Sequence, residues 1–179
     1  MANNKLNLLV ILLFVSTIVF SQGKRRTSEK QNMKWNYDLE CVGVGNQGEY
    51  LVKVFSFYRK KKRKGLDLEL AKKNALHGII FKGINSKSRD CVSQPALIKD
   101  ANVEEQKSEY FDSFFKEGGK YKKFVNLTTG GAVESGDRMQ VRIGKKKYLK
   151  VGLVISVNKD LLRKELEAAG IIRKLNAGF

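Results

Sequence analysis

Histidine is almost absent from this chain, cysteine is scarce, and cations outnumber carboxylates by 35 to 18. Each shortage removes a class of function. His77 is the single histidine, and no serine or cysteine nucleophile stands at a recognisable spacing from it. A triad, a zinc centre or a histidine general acid needs several partners in fixed geometry. His77 lies beside Ala75, Leu76 and Ile79, and reads as a structural residue, at the surface or partly buried. The carboxylates scatter along the chain; Glu104-Glu105 and Asp38 with Glu40 read as ordinary solvated charges. The expectation is a chain with no catalytic residue, no metal and no cofactor, and therefore not an enzyme. The competing class is a hydrolase of envelope polymers.

Two cysteines, Cys41 and Cys91, permit one disulfide at most. It would close a loop of about 50 residues, worth up to ~4 kcal/mol in the chain-entropy model. A buried free thiol at Cys41, within an alternating strand pattern, is the alternative.

No apolar run reaches the ~20 residues that span a hydrocarbon core. The run Leu8 to Phe20 covers 13 residues, follows Lys5 and leads to Val19-Phe20-Ser21. A charged start, a short apolar core and a Val-x-Ser exit describe a secretory signal peptide over residues 1–21, cut after Ser21. The alternative is an uncleaved anchor, because Lys24, Arg25 and Arg26 follow at once and could resist translocation. Neither cysteine follows the signal directly, which argues against a lipidated N-terminal cysteine.

Cleavage would leave 179 less 21, or 158 residues, and a net charge of +17 less the one charge of Lys5, or +16. That length suits one domain with a real core. Residues 22–34 are polar and aperiodic and read as a flexible leader; residues 35–179 read as the domain.

Tyr37, Leu39 and Cys41 alternate with polar neighbours and predict a strand. A second strand follows the glycine-rich turn, with Tyr50, Val52, Val54 and Tyr58 on one face and Leu51, Phe55 and Phe57 on the other. The intervening Gly43-x-Gly45-x-x-Gly48 spells the dinucleotide fingerprint, but that motif needs a helix directly after it. Here a strand follows, so the segment reads as a hairpin turn.

Asp67 to Phe81 predicts a helix, with Asp67 as its cap, a stripe of Leu68, Ala71, Ala75 and Ile79, and Gly83 at its end. Small residues at Ala71, Ala75 and Gly78 would let it approach a sheet. Residues Asn85 to Val103 predict a long loop holding Pro95, the only proline. Glu105 to Lys116 predicts a helix that turns Tyr110, Phe111, Phe114 and Phe115 toward the core, the alternative being an exposed aromatic stripe for a partner or membrane.

Strands are expected over Tyr121 to Leu127, Arg138 to Ile143 and Tyr148 to Val157. Asn158 can cap a last helix through Leu161, Leu162 and Leu166, with Ile171, Ile172, Leu175 and Phe179 tucked onto the core. The fold class is α+β: an antiparallel or mixed sheet of about five strands with two to three helices packed on it. Val52, Val54, Ala75, Ile79, Val151, Leu153, Ile155 and Leu166 lead the expected core.

The cations carry the functional expectation. Arg59, Lys60, Lys61, Lys62, Arg63 and Lys64 are consecutive, repel one another, and do nothing for the fold. Lys145, Lys146 and Lys147 crowd a second hairpin end. Further clusters stand at Lys120, Lys122 and Lys123, at Lys150, and at Arg163, Lys164, Arg173 and Lys174. Such loops would dock an anionic envelope component or an acidic protein, with peripheral membrane contact open to them; nucleic acid is the poorer candidate for an exported chain. The bland alternative is solvation of a soluble surface.

The glycine-bearing strand, second strand and helix of Tyr37 to Ile84, with Ala71, Asn74 and Ala75, and the late strand Tyr148 to Val157 leading into Asn158-Lys159-Asp160-Leu161, resemble small envelope domains. These are of the LPP20 lipoprotein and flagellar-assembly FlgT N-terminal type. The resemblance implies a non-enzymatic domain with a sheet and packed helices, in the periplasm or at the outer membrane. Phe20-Ser21-Gln22 looks like the signal end of exported Bacteroidetes proteins. The basic run Arg59 to Lys64 is no part of that pattern.

Overall fold

The computed structural model describes residues 35–45, 48–59, 66–86 and 91–175. The chain divides into two compact units, Met1–Asn36 and Tyr37–Phe179. Of the first, only Trp35 and Asn36 are described, so the signal peptide and leader expected over residues 1–34 lie outside the described residues. The second unit holds every helix and strand described below.

The hairpin at its start forms as the alternation predicts. Strands β1 (Tyr37–Val44) and β2 (Glu49–Arg59) pair antiparallel, with a bulge between Cys41 and Gly43. The glycine-rich segment joins them, and no helix comes directly after it.

Asp67 caps helix α1 (Leu68–Phe81) by accepting from the Leu70 amide at 2.9 Å. At the other end the amides of Lys82 and Gly83 both donate to the Gly78 carbonyl at 2.8 Å. Gly78 also permits the close approach to β1: a Cβ there would come within 2.9 Å of Leu39 Cδ2 and 3.2 Å of the Tyr37 ring.

The aromatic segment is two helices rather than one. Lys107, at φ −112° and ψ 30°, leaves helical geometry between α2 (Val103–Gln106) and α3 (Ser108–Phe115). α2 buries no side chain, while α3 buries Phe111, Phe114 and Phe115. The break lets the second piece turn its rings inward. With α4 (Lys159–Ala168) the helices number four among the described residues, one more than the sequence led us to expect.

Tyr121 to Leu127 is a strand only at its end, over β3 (Val125–Leu127). Before it, Lys120–Phe124 is a 3₁₀ turn that buries Tyr121 and Phe124. Residues three apart share a side in that geometry, so Tyr121 and Phe124 both reach the core where a strand would have sent them to opposite faces.

β4 (Arg138–Ile143) and β5 (Lys146–Asn158) complete a five-stranded antiparallel sheet in the order β1-β2-β5-β3, with β4 also paired to β5. β5 pairs β2 along eleven residues from Glu49↔Asn158 to Arg59↔Tyr148. Its other edge is shared: β4 takes Lys146 to Val151 and β3 takes Ile155 to Val157. Gly152 lies between the two. A Cβ at Gly152 would meet Phe55 Cε1 at 2.8 Å and the Asp137 side chain at 3.1 Å. Its bareness lets the 3₁₀ turn Ser135–Asp137 settle on the sheet, where Asp137 pairs Lys53 at 2.7 Å.

All eight residues expected to lead the core are buried. The C-terminus departs from expectation: Asn158 caps α4 through the Leu161 amide at 2.9 Å, and Ile171 and Ile172 are half-buried, but Leu175 is exposed. Past the Gly170 turn the chain carries Arg173 and Lys174, which stay in water and take Leu175 with them. Phe179 lies outside the described residues.

Cys41 and Cys91 are bonded, with Cα atoms 6.1 Å apart, inside the range a disulfide needs. The bond staples the loop after α1 along the free edge of β1. There the Cys41 amide donates to the Asn85 carbonyl at 3.0 Å, and Ile84 and Gln94 exchange bonds of 2.8 and 2.9 Å. The loop thus covers part of an edge that would otherwise invite another strand.

Glu69 joins α1 to the 3₁₀ turn. Its carboxylate accepts from Lys72 Nζ at 2.8 Å and from the Tyr121 hydroxyl at 2.6 Å. Those two bonds, Lys72 first, hold its pKa down to about 2 from 4.5. A depressed carboxylate contributes stability above its unfolded pKa and loses it as pH falls toward the folded one. Glu69→Gln should therefore flatten the decline in melting temperature between pH ~4.5 and ~2. The side chain is 43% exposed, so solvent screening limits the effect to about 1 kcal/mol. Thermal melts across that pH range check it; parallel declines in both proteins would show that Glu69 carries none of the acid sensitivity.

Candidate anion-docking site

The long pairing of β2 with β5 decides where the basic residues go. Arg59, the last residue of β2, stands opposite Tyr148 of β5. On the other edge of β5, Tyr148 faces Val141, Lys147 faces Arg142 and Lys146 faces Ile143. Neighbouring strands lie about 4.8 Å apart, so the Arg59 backbone sits one strand away from the Lys145-to-Lys147 hairpin. Lys60 to Lys64 continue directly from Arg59 but lie outside the described residues.

The hairpin itself is exposed from Arg142 to Lys147. No Asp or Glu occurs from Arg138 to Asn158, and among the described residues none of Arg138, Arg142, Lys145, Lys146 and Lys147 makes an ion pair. Arg138 and Arg142 were not among the expected site residues; their alternation with Met139, Val141 and Ile143 was the available signal.

The other basic clusters are not brought here. Lys120 pairs Glu165 at 2.6 Å, Lys122 pairs Glu69 at 3.5 Å and Arg163 pairs Glu167 at 2.8 Å. α4 starts just past the far end of β5, whose last residue lies twelve positions from Lys146, or roughly 40 Å along a strand. Lys150 is held on the sheet by Asp38 at 2.7 Å and lies 4.5 Å over the Phe55 ring. Lys120, Lys122, Lys150 and Arg163 are thus paired within the fold, whereas Lys123, Lys164, Arg173 and Lys174 stand exposed like the hairpin lysines but away from them.

β4 also exposes apolar groups. Met139 is 41% and Ile143 45% exposed. Met139 stands opposite Lys150, and Phe57 stands opposite Lys150 from the other side, so directly facing pairs put Phe57, Tyr148, Met139, Val141 and Ile143 on one face of the sheet.

His77 occupies a different place. It is buried, with Nδ1 2.6 Å from the Tyr37 hydroxyl and Nε2 3.3 Å from both oxygens of Glu104. Burial, then the charge of Glu104, push the Tyr37 phenol up. The Glu104 carboxylate can only accept, so Nε2 carries a hydrogen toward it, and the bare Nδ1 of the neutral ring accepts from the Tyr37 hydroxyl. The network ties α1 to β1 and α2, with Phe81 and Phe115 against the imidazole. Two expectations need correction here. His77 is fully inside, and Glu104 is its partner rather than a plain solvated charge, as Asp38 is a partner of Lys150. Burial of an imidazole demands a polar neighbour, and α2 supplies it from 27 residues away. Among the described residues, no three His, Cys, Asp or Glu side chains are grouped so as to hold a metal ion.

Compared with known proteins, the chain matches no family model, and no curated protein and no solved structure is similar to it.

Proposed function

We propose that this is an exported, non-enzymatic binding or assembly module of the cell envelope, in the periplasm or at the cell surface, whose basic loops dock an anionic surface or partner. The observation that carries the reading is the register Arg59↔Tyr148, which brings the start of the Arg59-to-Lys64 run to the same end of the sheet as the Lys145-to-Lys147 hairpin. Cations so far apart in the chain gain nothing from sharing a corner unless an anion offsets their repulsion. The disulfide accords with export, since such bonds persist in oxidising compartments. The resemblance to envelope domains of the LPP20 and FlgT type points the same way.

Binding of this kind is salt-sensitive, because the Debye length falls from ~10 Å at 0.1 M to ~3 Å at 1 M. A pull-down from envelope extract at low salt should lose its partners at high salt. It should lose them equally when Lys60, Lys61, Lys62 and Arg63 are changed to Gln, each cation contributing ~1 kcal/mol near an anionic surface. Partners retained under both treatments would overturn the reading.

A further inference from the structure

We infer that the anionic partner is a lipid bilayer, and that the β4–β5 hairpin enters its interfacial layer with Met139, Val141 and Ile143 while Lys145, Lys146 and Lys147 hold headgroup phosphates. The inference rests on the anion-docking reading and deepens it.

A purely electrostatic surface has no use for apolar side chains in water. Yet Met139 and Ile143 are both more than two-fifths exposed, two turns of the pleat apart, on the face that also carries Tyr148 and Phe57. The same strands and their turn hold five cations without an ion pair among the described residues: Lys146 shares the face of Met139, Val141 and Ile143 and Lys145 sits in the turn, while Arg138, Arg142 and Lys147 flank the hairpin from the other face, and no carboxylate occurs from Arg138 to Asn158. Apolar groups and unpaired cations within one hairpin match a surface in which phosphate overlies hydrocarbon. Tyr148 suits the boundary between the two, where amphipathic rings collect.

The depth of entry is bounded. On its outer side β4 pairs no strand among the described residues, and its unpaired backbone groups need water. Only side chains therefore leave the aqueous layer, which places the hairpin in the headgroup region. Lys150 stays bridged to Asp38 and contributes charge screening of the sheet rather than lipid contact.

Flotation of the full mature chain with vesicles tests this directly. Wild type should float with phosphatidylcholine mixed with phosphatidylglycerol, and not with phosphatidylcholine alone. Changing Lys145, Lys146 and Lys147 to Gln should weaken binding about a hundredfold, since each cation is worth roughly a factor of five. Met139→Ser with Ile143→Ser should weaken it by roughly tenfold or more at the same salt. Ile143→Trp should add a fluorescence component over the wild-type background that shifts to the blue on the mixed vesicles.

If the double Ser variant binds as wild type and the introduced indole stays in water while the Gln variant is lost, insertion is wrong and anion docking stands. Binding to polyglutamate but not to either vesicle would likewise overturn the lipid and keep the docking. Wild type that binds neither vesicles nor polyglutamate sinks both.

Discussion

Leu153→Asp is expected to leave the chain unfolded at room temperature, while Lys62→Asp melts like the wild type. Leu153 is 1% exposed and stands at the middle of β5, directly opposite Val54 of β2. Removing its side chain forfeits ~2–5 kcal/mol. The carboxylate that replaces it must lose its hydration or stay protonated, at a further cost of several kcal/mol. Its neighbours on that face of the two strands are Val52, Val54, Val151 and Ile155, with no cation among them. The combined loss is comparable with the ~5–15 kcal/mol by which whole domains are stable. Lys62 belongs to a run of six cations, where reversing one charge relieves repulsion. Far-UV and near-UV circular dichroism with thermal melts decide the matter; a Leu153→Asp protein that melts like wild type would mean that the register of β5 is wrong.

The second large effect belongs to the disulfide. Cys41→Ser with Cys91→Ser should destabilise the protein by about 4 kcal/mol, the chain-entropy value for a closed loop of this size. For a domain of this length that lowers the melting temperature by roughly 10–20 °C. The wild type in a thiol reductant should fall to the same point. Both cysteines are buried, and the loop they hold covers the edge of β1. The variant should therefore also lose amide protection first at position 41 and at Ile84 and Gln94, whose hydrogen bonds the disulfide secures. Two free thiols titrated in unreduced protein would overturn the pairing.

Much of the architecture is legible in local pattern. The strands around Tyr37 and Val54, the cap at Asp67 and the boundaries Arg138 to Ile143 stand where alternation and capping chemistry put them. The Gly43-to-Gly48 segment joins two strands because the residues after it alternate with period two. Elsewhere a tertiary demand overrides the period. Tyr121 and Phe124 reach the core from one side by a 3₁₀ turn, and Lys107 breaks the aromatic helix so that α3 can bury three rings. Leu175 follows its charged neighbours into water.

Composition and periods of a few residues are enough for the α+β class, the core positions and the unusual density of cations. They are not enough to say that Cys41 meets Cys91, that His77 is buried between Tyr37 and Glu104, or that Arg59 arrives beside Tyr148. Nor do they tell which lysines are spoken for: Lys120, Lys122 and Lys150 have carboxylate partners, and Lys145 to Lys147 do not among the described residues. All of these turn on one physical cause. An ion pair, a disulfide or a shared sheet corner depends on the register between segments far apart in the chain, and that register is set by which faces bury together, not by any residue's neighbours in sequence.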